Sequence, residues 1–100
     1  MVMDIEKALL ILSSGGELAD KLLEILDKEL SAPNIPTQTM GGKTFWNTLA
    51  EVNGWKLQQN MITHHARILD ASDVRIAWGT ISGMEKALDQ MIHFAEKYQQ

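Results

Sequence analysis

The chain has 100 residues, of which 45% are hydrophobic, and it contains no cysteine. This composition suits one domain with a single modest core, and the lack of cysteine excludes disulfide bonds and thiolate metal sites. The net charge of −4 argues against binding nucleic acid through bulk charge. The sequence shows no secretory signal and no apolar run long enough to span a membrane, so we expect a soluble, cytoplasmic protein.

The acidic residues are concentrated near the N-terminus. Residues 1–31 contain three lysines against seven aspartates and glutamates, whereas residues 43–79 contain four basic residues against three acidic ones. Apolar spacing predicts two helices in this acidic arm, over residues 4–13 and 17–31. The apolar stripe of the second helix either packs within its own domain or joins a second chain. The self-association hypothesis involves Leu18, Leu22, Ile25, Leu26 and Leu30.

Residues 32–43 contain both prolines, which indicates a linker between the acidic arm and a body formed by residues 44–100. Within that body, residues 44–53 fit either a strand or a helix. The strand alternative uses Asn53-Gly54 as a hairpin turn. The helix alternative uses apolar residues at helical spacing, with Gly54 as the left-handed residue that follows the helix. We favour the helix.

The next part of the body is typical of extended chain. Three antiparallel strands are expected, over residues 55–60, 63–69 and 74–79. The second and third strands need a bulge or a five-residue loop if their apolar residues are to share one face. That face would include Ile62, Ala66, Ile68, Val74, Ile76 and Trp78.

A final helix begins at a predicted capping box, Ser82 to Glu85. Its apolar side consists of Met84, Ala87, Leu88, Met91, Ala95 and Tyr98. The whole pattern predicts a single α+β domain, with two N-terminal helices followed by an α-β-β-β-α body. Helices would cover one face of its three-stranded antiparallel meander.

The opposite face of this sheet is the candidate binding surface. Strand alternation gives it polar side chains, three fixed positive charges and a histidine that can titrate near neutral pH. It is either an ordinary solvated surface or a contact surface for an anion, a peptide or RNA. Its predicted members are Lys56, Gln58, Asn60, Thr63, His65, Arg67 and Arg75.

The histidines do not indicate a metal site. His64 and His65 are adjacent, so in a strand they face opposite ways and cannot bind one metal together. His93 falls on the polar side of the last helix. We therefore expect neither a metal nor a cofactor.

Residues 44–98 resemble HicA-type toxins, which are small ribonucleases with a double-stranded-RNA-binding-like fold. Gly54-Trp55 matches the family's Gly-Phe/Trp pair at the start of its first strand. The family has Gly-Ser-His at the start of its second strand, where this chain has Ile62-Thr63-His64. The resemblance implies that His64, or its neighbour His65, would carry the role of the catalytic histidine.

We predict a small non-enzymatic binding or accessory protein that self-associates or contacts a protein partner through the polar sheet face. The alternative is an RNA-binding or RNA-cleaving domain of the HicA toxin type.

Overall fold

The structure is a computed structural model that describes residues 2–30, 35, 37–39 and 45–98. These residues form three helices and a four-stranded antiparallel sheet, which is an α+β fold. Most of the predicted linker, residues 32–43, lies outside the described residues. None of the described helices is long and apolar enough to span a membrane. The elements are α1 (Val2–Ser14), α2 (Gly16–Glu29), β1 (Trp46–Val52), β2 (Trp55–Asn60), β3 (Ala66–Leu69), β4 (Arg75–Gly79) and α3 (Ile81–Tyr98).

The helix favoured for residues 44–53 is wrong, because this segment forms β1 and the meander has four strands instead of three. Asn53 and Gly54 have φ angles of 53° and 84° and connect β1 to β2, as the hairpin alternative requires. The register of this pair shifts between Thr48 and Ala50. That irregularity interrupts the two-residue period of the strand, so its apolar residues fall at helical spacing.

One face of the sheet forms the core together with the helices. Leu57, Ala66, Ile68 and Ala77 supply it from β2, β3 and β4. α1, α2 and α3 contribute to the same cluster, so both helices of the acidic arm pack into the core of the body. The buried helix residues include Leu9 and Leu12 from α1, Leu22 and Leu26 from α2, and Met84, Leu88 and Met91 from α3.

The expected irregularity between β3 and β4 is present, as a register shift between Ile68 and Leu69. Ile68 lies opposite Ala77, and Arg67 lies opposite Trp78. Directly opposed residues in an antiparallel pair point to the same side. The prediction that Trp78 faces the core is therefore wrong: Ala77 occupies the core, and Trp78 shares a face with Arg67.

The two edges of the sheet differ. Gln38 forms an isolated antiparallel bridge with Val74, and the backbone N–H of Arg75 donates to the carbonyl of Thr37 at 2.9 Å. Residues 37–39 thus cover the edge on the β4 side. β1 forms the other edge of the sheet.

The residue that caps the start of α3 lies two positions earlier than the sequence predicts. The Gly83 N–H donates to the Thr80 hydroxyl at 3.1 Å, so Thr80 is the capping residue. Ser82 lies inside the helix, and the predicted capping box is wrong. On the expected apolar side of α3, Tyr98 is 44% exposed, and the buried residues are Met84, Ala87, Leu88, Met91 and Ala95.

Candidate functional site

The candidate site is the outer face, which we define as the sheet face opposite the core. Strand pairing assigns side chains to it, because opposed residues share a side and successive residues alternate. The outer-face residues named below do not belong to the core cluster that the helices form with the other face of the sheet. The outer face includes Trp46, Thr48, Glu51, Lys56, Gln58, Arg67, Leu69 and Trp78.

Arg67 lies at the centre of the outer face. Its Nε donates to Oε1 of Gln58 at 2.9 Å, and its guanidinium carbon lies 3.9 Å from the ring centroid of Trp46. Nε2 of Gln58 donates in turn to the Thr48 hydroxyl at 3.1 Å. Arg67 is only 7% exposed and Gln58 only 1%. Both residues lie on the predicted face, but they form a packed layer and do not project into solvent.

The pKa of Arg67 is lowered from its ordinary value, mainly by burial and further by the positive charge of Arg75, whereas Asp73 raises it. An arginine guanidinium has so high an ordinary pKa that it stays protonated in a folded protein. The outer face therefore keeps a charge at its centre, held by an aromatic ring and an amide oxygen.

Trp78 forms a second aromatic centre. The guanidinium carbon of Arg75 lies 5.5 Å from its ring centroid. The His65 ring meets Trp78 edge-on, with centroids 5.6 Å apart and an interplanar angle of 79°. Nη2 of Arg75 also donates to the Ile35 carbonyl at 3.3 Å. The chain thus brings His65, Arg75 and Trp78 together, although the sequence had placed Trp78 in the core.

The third predicted cation, Lys56, forms an ion pair with Asp73 at 2.8 Å. Asp73 belongs to the β3–β4 turn and has a φ of 62°. Glu51 lies opposite Lys56 on β1. The outer face therefore carries charges of both signs, which the predicted strand positions alone did not indicate.

Asn60 lies opposite Trp46 and so belongs to the outer face as predicted, whereas Thr63 lies in the turn after β2 and not in a strand. Oδ1 of Asn60 accepts hydrogen bonds from the backbone N–H groups of Ile62 and Thr63, at 2.8 Å and 2.9 Å. These contacts build the turn before β3, which starts at Ala66 and not at Thr63. His64 lies in this turn, is exposed and has a φ of 65°. The structure does not group His64 with the charged centre of the outer face.

The stripe proposed for self-association is largely used within the chain. Leu22 and Leu26 are at most 1% exposed, and Leu30 is 8% exposed. These three leucines contact the chain's own core and cannot also contact a second chain in this fold. Leu18 and Ile25 are half-buried and pack against the same cluster.

The described residues also line several concave regions. An open groove of about 670 Å³ between α2 and α3 is lined in part by Ile25, Lys28, Phe94 and Lys97. A smaller pocket of about 160 Å³ lies beside Trp78 at the start of α3. Within the described ranges, no group of three or more histidines and acidic residues is placed to hold a metal ion.

Comparison of this chain with protein-family models, with curated proteins and with solved structures finds no match. A proposal about its function therefore depends on the contacts of its own residues, and the likeness to HicA-type toxins stays a prediction.

Proposed function

We propose that this chain is a small non-enzymatic binding protein that contacts a protein partner through its outer face. The observation that carries the proposal is the pairing of guanidinium groups with indole rings, Arg67 with Trp46 and Arg75 with Trp78. Tryptophan and arginine dominate the residues that supply most of the binding energy in protein interfaces.

The packing of these side chains favours binding. Arg67 is fixed by Gln58 and Trp46, so little side-chain entropy remains to be lost when a partner docks against it. Trp46 and Trp78 are each half-buried, which leaves part of each ring accessible. The outer face thus offers rigid aromatic surface next to charged groups.

The charge pattern favours a protein over a polyanion. Lys56 is paired with Asp73, and Glu51 lies on the same face. These carboxylates reduce the attraction for a phosphate backbone, whereas a protein surface of mixed polarity can complement both signs.

Site-specific photo-crosslinking in a native lysate tests this proposal. A photoreactive residue at Glu51 should give a discrete adduct heavier than two copies of the chain, and Trp78→Ala should reduce its yield. The control places the same photoreactive residue at Glu96, which is exposed on α3. Equal adducts from both positions, or an adduct insensitive to Trp78→Ala, would contradict the proposed surface.

Single-stranded RNA is the second candidate ligand. Trp46, Trp78 and His65 could stack on bases, with Arg75 near a phosphate. Retention of a single-stranded RNA should then fall steeply with salt and be lost in Arg75→Ala, because phosphate contacts release counterions. Cleavage would in addition require His65 as an acid or base, and His65→Ala should abolish it. No retention at low salt would dismiss this candidate.

We also propose that the chain self-associates. The support is a set of apolar side chains left on the surface at one end of the sheet. The exposed fractions are 52% for Phe45, 41% for Leu49, 48% for Met61 and 68% for Ile62. Sedimentation over a range of concentrations tests this, and a sedimentation coefficient that does not change would contradict it.

A further inference from the structure

The first part of β1, residues 46–48, is an exposed strand edge without the usual protection; the irregularity after Thr48 and the charge of Glu51 come later in the strand. Proteins commonly guard such edges with lysine or proline, and β1 (WNTLAEV) contains neither. Residues 37–39 cover the edge beside β4. Among the residues that the structure describes, none pairs with β1 on the side away from β2.

The hydrogen-bond pattern shows which backbone groups β1 presents to this edge. The Met61 N–H donates to the Phe45 carbonyl at 2.7 Å, so Phe45 directs its backbone groups toward the β2 side. Alternation then turns Asn47 toward β2 as well. The N–H and C=O groups of Trp46 and Thr48 consequently point out of the sheet.

We propose that residues 45–49 are the site at which a second copy of this chain adds to the sheet. The two β1 strands would pair antiparallel about a two-fold axis at Asn47, forming one continuous sheet across both copies. The inference rests on the proposed self-association and names the surface that carries it.

A two-fold axis at Asn47 would place the outward backbone groups of Trp46 and Thr48 opposite those of the second copy. Trp46 would pair with the partner's Thr48, and Thr48 with the partner's Trp46. Every outward N–H and C=O of these two residues then finds a hydrogen-bond partner, as an antiparallel pair requires. The β1 irregularity between Thr48 and Ala50 ends the regular pairing beyond this stretch.

The side chains of the stretch are also compatible with a second copy. Residues 45–49 (FWNTL) carry no charge, although each copy has a net charge of −4. Glu51 lies beyond the irregularity, so the pairing does not bring like charges together. Phe45 would lie opposite the partner's Leu49, which would bury side chains that are 52% and 41% exposed in one copy.

Sedimentation equilibrium of the full chain with matched lysine variants tests the proposal. Leu49→Lys should raise the dimer dissociation constant by about 100-fold, as expected if each of the two copies contributes a factor of ten. Leu10→Lys is the control, because Leu10 on α1 is a leucine of similar exposure, 49% against 41% for Leu49. It should leave the dissociation constant unchanged.

Amide hydrogen exchange gives a second measurement, made on the wild-type chain and on Leu49→Lys. Exchange at Trp46 and Thr48 should slow as the protein concentration rises, while the Asn47 amide should be protected at every concentration. In Leu49→Lys the concentration dependence should disappear.

The contrary results separate this inference from the proposed function. A dimer that survives Leu49→Lys but is lost in Ile25→Lys, with no exchange effect at Thr48, would overturn the edge pairing and leave self-association standing. A wild-type chain that stays monomeric at all concentrations would overturn both. In either case, photo-crosslinking from position Glu51, with and without Trp78→Ala, would still test whether the outer face binds a protein partner.

Discussion

Arg67 illustrates how a charged residue is held in a largely buried position. Neighbours on three strands surround its side chain. Gln58 on β2 accepts the Nε–H, the Trp46 ring on β1 lies 3.9 Å from the guanidinium carbon, and Trp78 on β4 lies opposite Arg67. Burial still lowers its pKa, but the group remains charged and hydrogen-bonded. The outer face therefore has an internal framework in addition to its exposed rim.

We expect Arg67→Ala to lower the free energy of unfolding by about 2–3 kcal/mol. The change removes the cation–aromatic contact with Trp46 and leaves Oε1 of the buried Gln58 without its donor. Urea unfolding measures the loss. Lys86→Ala, at an exposed position on α3, is the control and should stay within about 0.5 kcal/mol of wild type. Equal stability of the two variants would show that the Arg67 contacts are not stabilising.

For single residues, the sequence predicted which face of the sheet a side chain occupies, but it did not predict how deeply that side chain is buried. Alternation along β2 correctly assigns Lys56 and Gln58 to one face, because a strand has a period of two residues. Burial depends on which neighbour covers a side chain. Trp46 covers Arg67, and Trp46 belongs to the segment that had been assigned to a helix.

At the scale of elements, β1 and β4 show where local sequence patterns mislead. An irregularity between Thr48 and Ala50 disturbs the alternation of β1, so the spacing of Leu49 and Val52 imitates a helix. Trp78 was misplaced for a related reason, since the shift between Ile68 and Leu69 sets the facing of β4. Periodicity detects the elements, but register depends on contacts between strands.

The start of α3 gives a test with a built-in control. Thr80→Ala should reduce the free energy of unfolding by about 1 kcal/mol, because the Gly83 N–H loses its acceptor. Ser82→Ala removes the hydroxyl that the sequence pattern had selected and should have a much smaller effect. Thermal or urea unfolding of both variants measures the difference. A larger loss for Ser82→Ala would instead support the capping box.

At the scale of the whole molecule, α2 is part of one core shared with the sheet. Its stripe could equally have joined a second chain, because a sequence pattern marks an apolar surface without showing what covers it. Long-range packing shows what covers this stripe. Leu22 and Leu26 belong to the same buried cluster as Leu57 and Ile68 of the sheet. Exposed apolar residues elsewhere in the chain include Phe45, Leu49 and Met61.

A shared core implies that the acidic helices and the sheet unfold together. Leu22→Ala should therefore destabilise the whole chain by about 2–5 kcal/mol, the usual effect of truncating a fully buried leucine. All three tryptophans lie in the sheet, so fluorescence follows the sheet while far-UV circular dichroism is dominated by the helices. The two transitions should coincide in wild type and shift together in the variant.

Leu10→Ala is the matched control, because Leu10 is a half-exposed leucine on α1 and its truncation should change stability by about 0.5 kcal/mol or less. If Leu22→Ala instead moved only the circular dichroism transition and left the fluorescence transition in place, α1 and α2 would unfold independently of the sheet. The outer face and the β1 edge would then belong to a body that is stable without the acidic helices. A common transition means that core mutations in α2 weaken both proposed contact surfaces, so binding tests need variants at exposed positions.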